Sequence, residues 1–283
     1  MSDLKYKNII WIIYFIAVGL SVLGSLSNLF SIGCFGAGNC LARWENWKYV
    51  FAILIIALHG SYTIGWKKII WFVLLSSGIG FISEYSGLHY GQLAGVGYIY
   101  RSGNATFFDV PILILIFWSF FVYTGYSIIN SFLAWKNKER PKTRNKDFNR
   151  VWRLAASDGL LVLLIDLFME PIMVARGEWQ WLNSGVYFSI PAGNFIGWFL
   201  VAFISMFIFR TLEYKFAETN KNFDLNFLLM PVAGYALIAL DFAVAAILLD
   251  LPKLILIGFP LMTAVVVYNF FQYFKYKLTL CKK

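Results

Sequence analysis

Apolar residues come in long, nearly unbroken runs separated by short polar stretches. Eight runs approach or exceed the roughly 20 residues that a helix needs to cross a bilayer core of about 30 Å. They lie at about 8–30, 47–65, 68–87, 110–134, 152–173, 191–211, 227–249 and 253–274. Alternating apolar and polar positions do not repeat at the spacing of a transmembrane barrel, so each run is expected to be a helix. The first run lacks a small-residue cleavage site and is too long for a signal-peptide core, so it is read as a span. The pattern predicts an all-α polytopic membrane protein of about eight transmembrane helices, forming one transmembrane domain over residues 1–283. The fifth run is the least apolar of the eight.

Composition supports that solvent. Of 283 residues, 60% are hydrophobic and 14% charged, with a mean hydropathy of +0.68. A soluble domain carries about 25% charged residues. The net charge of +9 invites a nucleic-acid reading, but the positions of the cations argue otherwise. Nineteen of the 24 Lys and Arg residues fall at alternate ends of the runs, eight of them in the loop 135–153. That alternation places both termini in the cytoplasm and makes the basic loop a topology determinant near anionic headgroups. A cytoplasmic (inner) membrane location, with lipid as a partner and no nucleic acid, follows. Cys34 and Cys40 share the first external loop, either as a disulfide or as two small residues in a Gly-rich turn. Three Cys and two His are too few and too scattered for a metal set.

The acids are distributed differently. Glu84, Asp166, Glu170 and Asp241 fall within runs, where a carboxyl is costly and is usually paired or functional. Measured from the cytoplasmic end of each helix, they stand roughly 24, 20, 26 and 21 Å up. Three outward-running helices therefore bring carboxyls to one depth, and Asp166 and Glu170 are one turn apart on a shared face. Such a cluster is expected to form a site, with helix-packing pairs as the plainer alternative. Deeper in the membrane only His59 and Asp158 are polar and titratable, and Asp158 reads either as a cap or as a partner of Arg153.

The two loops beside the cluster share features. Each has Gly followed closely by Tyr (Gly97-Tyr98-Ile99-Tyr100 and Gly185-Val186-Tyr187), then Phe-x-x-Pro, then a helix with Trp seven positions on: Phe108, Pro111 and Trp118, and again Phe188, Pro191 and Trp198. A parallel internal repeat is one explanation; Pro at a helix start is also the ordinary local solution. Tyr98, Tyr100, Trp179, Trp181 and Tyr187 gather in these loops. They fit either an interfacial aromatic belt or the lining of an apolar ligand site whose faces stabilise a cation.

On these residues the chain resembles the integral-membrane carotenoid 1,2-hydratases, including the bisanhydrobacterioruberin and γ-carotene 1′-hydratases. The matching stretches are Glu84-x-x-Gly87-x-x-x-Gly91-x-x-x-Gly95-x-Gly97-Tyr98-x-Tyr100 and Val110-Pro111 through Trp118. They continue with Asp166-x-x-x-Glu170-Pro171, Trp179-x-Trp181, Gly185-x-Tyr187 and Pro191-x-x-Asn194-Phe195-x-Gly197-Trp198. Together they cover about residues 80–200. Two departures stand out: Tyr90 where the family often has Thr, and Glu170 where it often has Asp. The second keeps a carboxyl but lengthens its reach.

The resemblance implies addition of water across the terminal C1=C2 bond of an acyclic carotenoid end, without a redox cofactor, beside other carotenoid-pathway enzymes. The residues allow that chemistry. A carboxylic acid that keeps its proton in a low dielectric can protonate the alkene, and a second carboxylate can take a proton from water. Asp166 is expected as the proton donor and Glu170 or Glu84 as the base. Tyr98, Tyr100, Trp118, Trp179, Trp181, Tyr187 and Asp241 are expected to shape the pocket, and Asn194 to orient water. A lycopene cyclase would begin with the same protonation. A proton-coupled transporter would also bury acids but needs a polar path to both faces, and a retinal photoreceptor needs a mid-membrane Lys, which this chain lacks.

Overall fold

The computed structural model describes residues 3–29, 44–91, 97–101, 105–138, 147–213 and 224–281. These form eight helices: α1 Asp3–Leu29, α2 Trp44–Thr63, α3 Trp66–Tyr90, α4 Ile112–Asn137, α5 Phe148–Arg176, α6 Ala192–Leu212, α7 Leu229–Leu248 and α8 Pro252–Leu280. Every expected run is a helix. Five stretches (α3, α4, α6, the segment Leu225–Leu248 and α8) are long and apolar enough to cross a membrane, while α1 and α2 contribute the shorter apolar stretches Tyr6–Leu20 and Ala52–Thr63. The chain is a helical membrane protein. Cys34, Cys40 and the centre of the basic loop lie outside the described residues.

Local chemistry sets the helix ends. The Asp147 side chain caps α5 by accepting from the backbone N–H groups of Asn149 and Arg150 at 3.0 and 3.4 Å. Gly177 closes α5 in the left-handed conformation, where a Cβ would be strained. Pro111 and Pro191 stand immediately before α4 and α6 with extended backbones and need no N–H there. Pro171 sits inside α5 and cannot donate to the carbonyl of Leu167. The Tyr187 hydroxyl fills that gap, donating to Leu167 O at 2.9 Å.

Helices α3 to α6 pack around one another, and α1, α2, α7 and α8 flank them. Close approach depends on small residues, as is usual between helices in lipid. At Gly125 on α4 a Cβ would lie 2.8 Å from the backbone oxygen of Asp158 on α5, so α4 and α5 meet backbone to backbone. The main core runs through α3 to α8 on Phe72, Trp118, Ile165, Phe168, Tyr235 and their neighbours.

One end of the bundle carries short strands. Residues 98–100 (β1) pair antiparallel with residues 179–181 (β4), Tyr98 opposite Trp181 and Tyr100 opposite Trp179. Residues 106–107 (β2) and 110–111 (β3) make a tight hairpin. Nothing local in the sequence announces the β1–β4 pair, whose partners are about 80 positions apart.

The opposite end corrects an expectation. Asp158 is bonded by Arg210 of α6, not by Arg153, with Nε and Nη2 at 2.6 and 2.8 Å from its two oxygens. Arg210 is buried and therefore does not belong with the loop cations. Its Nη1 also donates to Asn130 Oδ1 at 3.2 Å, and its guanidinium lies 4.6 Å from the Tyr126 ring centroid. Tyr126 in turn donates to Glu213 Oε2 at 2.8 Å.

Candidate active site

The strands explain how the aromatics reach the acids. Side chains alternate across a strand, so Tyr98 and Tyr100 share one face while Ile99 is exposed. Trp179 and Trp181 likewise point inward with Gln180 outside. Both inward pairs meet glutamates near the ends of helices. Tyr98 donates to Glu84 Oε2 in a short hydrogen bond, and Tyr100 donates to the same oxygen at 2.7 Å. Trp118 Nε1 donates to Glu84 Oε1 at 3.0 Å. On the other side, Trp179 and Trp181 both donate their Nε1–H to Glu170 Oε1 at 2.7 Å.

Asp166 lies one turn deeper than Glu170 and is fully buried. Asn194 Nδ2 donates to its Oδ2 at 2.9 Å, while Oδ1 has no hydrogen-bond partner. The three carboxyls lie close enough for their charges to act on one another. No Lys or Arg forms an ion pair with them among the described residues. No group of three His, Cys, Asp or Glu side chains suited to a metal ion is found among those residues either.

The phenols act as fixed donors. Burial, then the charge of Glu84, holds the Tyr98 and Tyr100 hydroxyls well above the usual tyrosine range. Tyr187 is pushed up to about 12 by burial and then by Asp166.

A cavity of about 510 Å³ opens beside the two glutamates. It is bordered by Glu84, Glu170, Asn194 and the inward residues of β1 and β4. The rest of the wall is largely apolar, with Phe117, Phe121, Met169, Leu237, Ile238 and Phe242 among its residues, and it also carries Arg176, Glu178 and Asp241. Helix α4 contributes from Pro111 to Phe121 and α7 from Gly234 to Ala245, which is roughly 15 Å of rise along each. The space is elongated.

The expected site residues divide accordingly. Glu84, Glu170, Tyr98, Tyr100, Trp179, Trp181, Asn194 and Asp241 border the cavity. Asp166, Trp118 and Tyr187 do not: Asp166 stands behind Asn194, Trp118 supports Glu84, and Tyr187 is spent on the carbonyl that Pro171 leaves free. Sequence reasoning missed the apolar wall. Its only signal was the Phe-rich start of α4, which reads equally as ordinary membrane-helix composition. Trp198 also borders the cavity, its ring 4.2 Å from that of Trp118.

The fold and the site together define a helical membrane protein with buried carboxyls beside an elongated, largely apolar cavity. The chain belongs to the carotenoid biosynthesis protein family, whose model matches residues 45–265. That match extends well beyond residues 80–200 and takes in α7 with the apolar wall. No curated protein matches the chain, nor does any solved structure.

Proposed function

We propose that the chain is a carotenoid hydratase, adding water across the terminal C1=C2 bond of an acyclic end group of the lycopene, γ-carotene or bisanhydrobacterioruberin type. The observation that carries this reading is that Glu84 and Glu170 border one cavity whose wall is otherwise largely apolar. A polyene lies along the apolar part, and its end group meets the two carboxyls.

The steps balance without a redox cofactor. A carboxylic acid of the Asp166–Glu170 pair gives a proton to C2, leaving a tertiary cation at C1 and a carboxylate. Glu170 is the member of that pair bordering the cavity, so the proton passes through it. The indole faces of Trp179, Trp181 and Trp198 stabilise the cation, each by about 0.5–2 kcal/mol. Water attacks C1 and loses a proton to Glu84, whose carboxylate is held as an acceptor by Tyr98, Tyr100 and Trp118. Asn194 borders the same space and orients the water. Proton return from Glu84 to the pair completes the cycle, and the product is a tertiary alcohol.

A cyclase of the lycopene type would share the first step and trap the cation with the C5=C6 bond. The polar groups of Asn194, Tyr98 and Tyr100 on the cavity wall favour water. A proton-coupled transporter is disfavoured, because Asp158, Arg210 and Glu213 lie off the cavity wall and are tied to one another. With the termini cytoplasmic, the acids lie in the outer part of an inner membrane, among lipid and the other enzymes of the pathway.

Expression in cells that accumulate lycopene tests the proposal. The expected pigments are heavier by the mass of one water for each modified end. A ring-bearing isomer of unchanged mass points to cyclisation, and unchanged lycopene with folded protein in the membrane rejects both.

A further inference from the structure

The two loops do more than share a sequence pattern. Phe108 and Asp109 have φ of 49° and 66°, and Phe188 and Ser189 have φ of 49° and 65°. Both pairs are non-glycine residues in the left-handed region, which L side chains rarely adopt. Each turn is closed by a backbone pair around it, Phe107 with Val110 and Tyr187 with Ile190. Each is followed by an extended proline and a helix. The turns, prolines and tryptophans are all offset by 80 positions.

Equivalent positions of the two halves meet one another. Trp118 stacks near Trp198, and Asn130 is bonded by Arg210; both pairs carry that same offset. An antiparallel pair centred on Ile99 and Gln180 exchanges β1 with β4. The exchange carries Tyr98 and Tyr100, the donors to Glu84, onto Trp179 and Trp181, the donors to Glu170. Glu84 and Glu170 therefore occupy the same place in two copies of one helix–strand–turn–helix unit; they are 86 positions apart because the stretch from glutamate to turn is six residues longer in the first copy.

The copies differ one turn away. Where the second has Asp166, the first has Gly80, and a Cβ there would fall on the Trp118 ring. Where the second has Asn194, the first has Ile114. The donors are unequal too. Glu84 accepts on both oxygens, whereas the recorded donors to Glu170 all reach Oε1. Asp166 keeps a buried oxygen with no hydrogen-bond donor. A buried acceptor without a donor is costly, and an oxygen that carries a proton becomes a donor instead.

We infer that the unit is duplicated, and that Asp166 with Asn194, present in the second copy only, are positioning residues that make Glu170 and Asp166 the proton-bearing pair and leave Glu84 as the acceptor. This assigns the acid and base of the reaction proposed above and rests on that reading for their use. The placement of the proton itself does not depend on turnover. Asn194 fixes Asp166 Oδ2 as the acceptor oxygen, so the proton sits on Oδ1 or on Glu170.

Infrared spectroscopy of the purified protein in detergent, in light and heavy water, reads the proton directly. At neutral pH the wild type should show the carbonyl stretch of a protonated carboxylic acid. Glu170→Gln and Asp166→Asn should each lose it, and Glu84→Gln should retain it. Asn194→Leu, which keeps every carboxyl, should shift the band, and it serves where Asp166→Asn fails to fold. No such band in the wild type, or its loss in Glu84→Gln with retention in Glu170→Gln, overturns the inference. The expected band pattern in a protein that leaves lycopene unchanged would sink hydration while the asymmetry of the site stands.

Discussion

Two of the polar clusters among the described residues are built on opposite principles. At the end away from the strands, Asp158 is matched by Arg210 with two hydrogen bonds, and Glu213 is held by Tyr126 within reach of Arg210 and Lys68. Charges of both signs are present and bonded. At the strand end, Glu84, Asp166 and Glu170 meet only neutral donors, and one carboxylate oxygen has none. The first cluster is closed against the cavity; the second borders it. Compensated charge fastens helices together, whereas the acids at the strand end stand without a paired cation beside an open space.

Breaking the closed cluster should have the largest effect. Arg210→Leu leaves Asp158 as a buried unpaired charge and should cost about 3–5 kcal/mol, enough to lose folded protein from the membrane. The double variant Arg210→Leu with Asp158→Leu should recover most of that loss, because an apolar pair of similar volume removes the stranded charge. Thermal unfolding in detergent, followed by tryptophan fluorescence, measures both.

The open cluster should respond in the reverse sense. Glu170→Gln keeps the size of the side chain and an acceptor for Trp179 and Trp181, so the melting temperature should change little. Product formation from lycopene should fall by about 10²–10⁴-fold. A variant that stays active would place the acid elsewhere; one that unfolds would make the strand-end cluster as structural as its counterpart.

Smaller effects separate support from chemistry. Tyr187→Phe strands the Leu167 carbonyl freed by Pro171 and should cost about 1–3 kcal/mol of stability, with KM for the carotenoid unchanged because the hydroxyl faces away from the cavity. The smallest effect concerns pH. The Tyr98 hydroxyl is held above its ordinary range in the folded protein, which therefore binds that proton more tightly than the unfolded chain. Its contribution should be intact below about pH 10 and decline as pH rises further. Tyr98→Phe should make that alkaline decline shallower in a series of melts.

Much of the architecture was legible before any coordinates. Eight apolar runs became eight helices because in lipid the backbone has no partner but itself. Pro111, Pro191, Asp147 and Gly177 mark helix ends through local chemistry alone. The carboxyl cluster was legible from depth, since rise per residue converts a position in the chain into a height. Partners were not. Arg153 looked suitable for Asp158 because it is near in sequence, yet five residues turn a helix too far to share a face. The true partner comes from another helix 52 positions on.

The site shows the same division. Tyr-x-Tyr and Trp-x-Trp were visible as aromatic loops, but their roles depend on a strand pair joining segments about 80 residues apart. Asp166 and Glu170 looked interchangeable, one turn apart on one face. Only packing set one at the cavity and the other behind Asn194. Tyr187 looked like pocket lining and is instead the replacement for a missing N–H.

By itself the sequence determined the solvent, the number of helices and the height at which acids gather, because these follow from hydrophobicity and the period of a single helix. Tertiary structure decided which acid faces the cavity, which is tied to a cation and which aromatics serve as donors. Those choices depend on contacts between distant helices, and no local period encodes them.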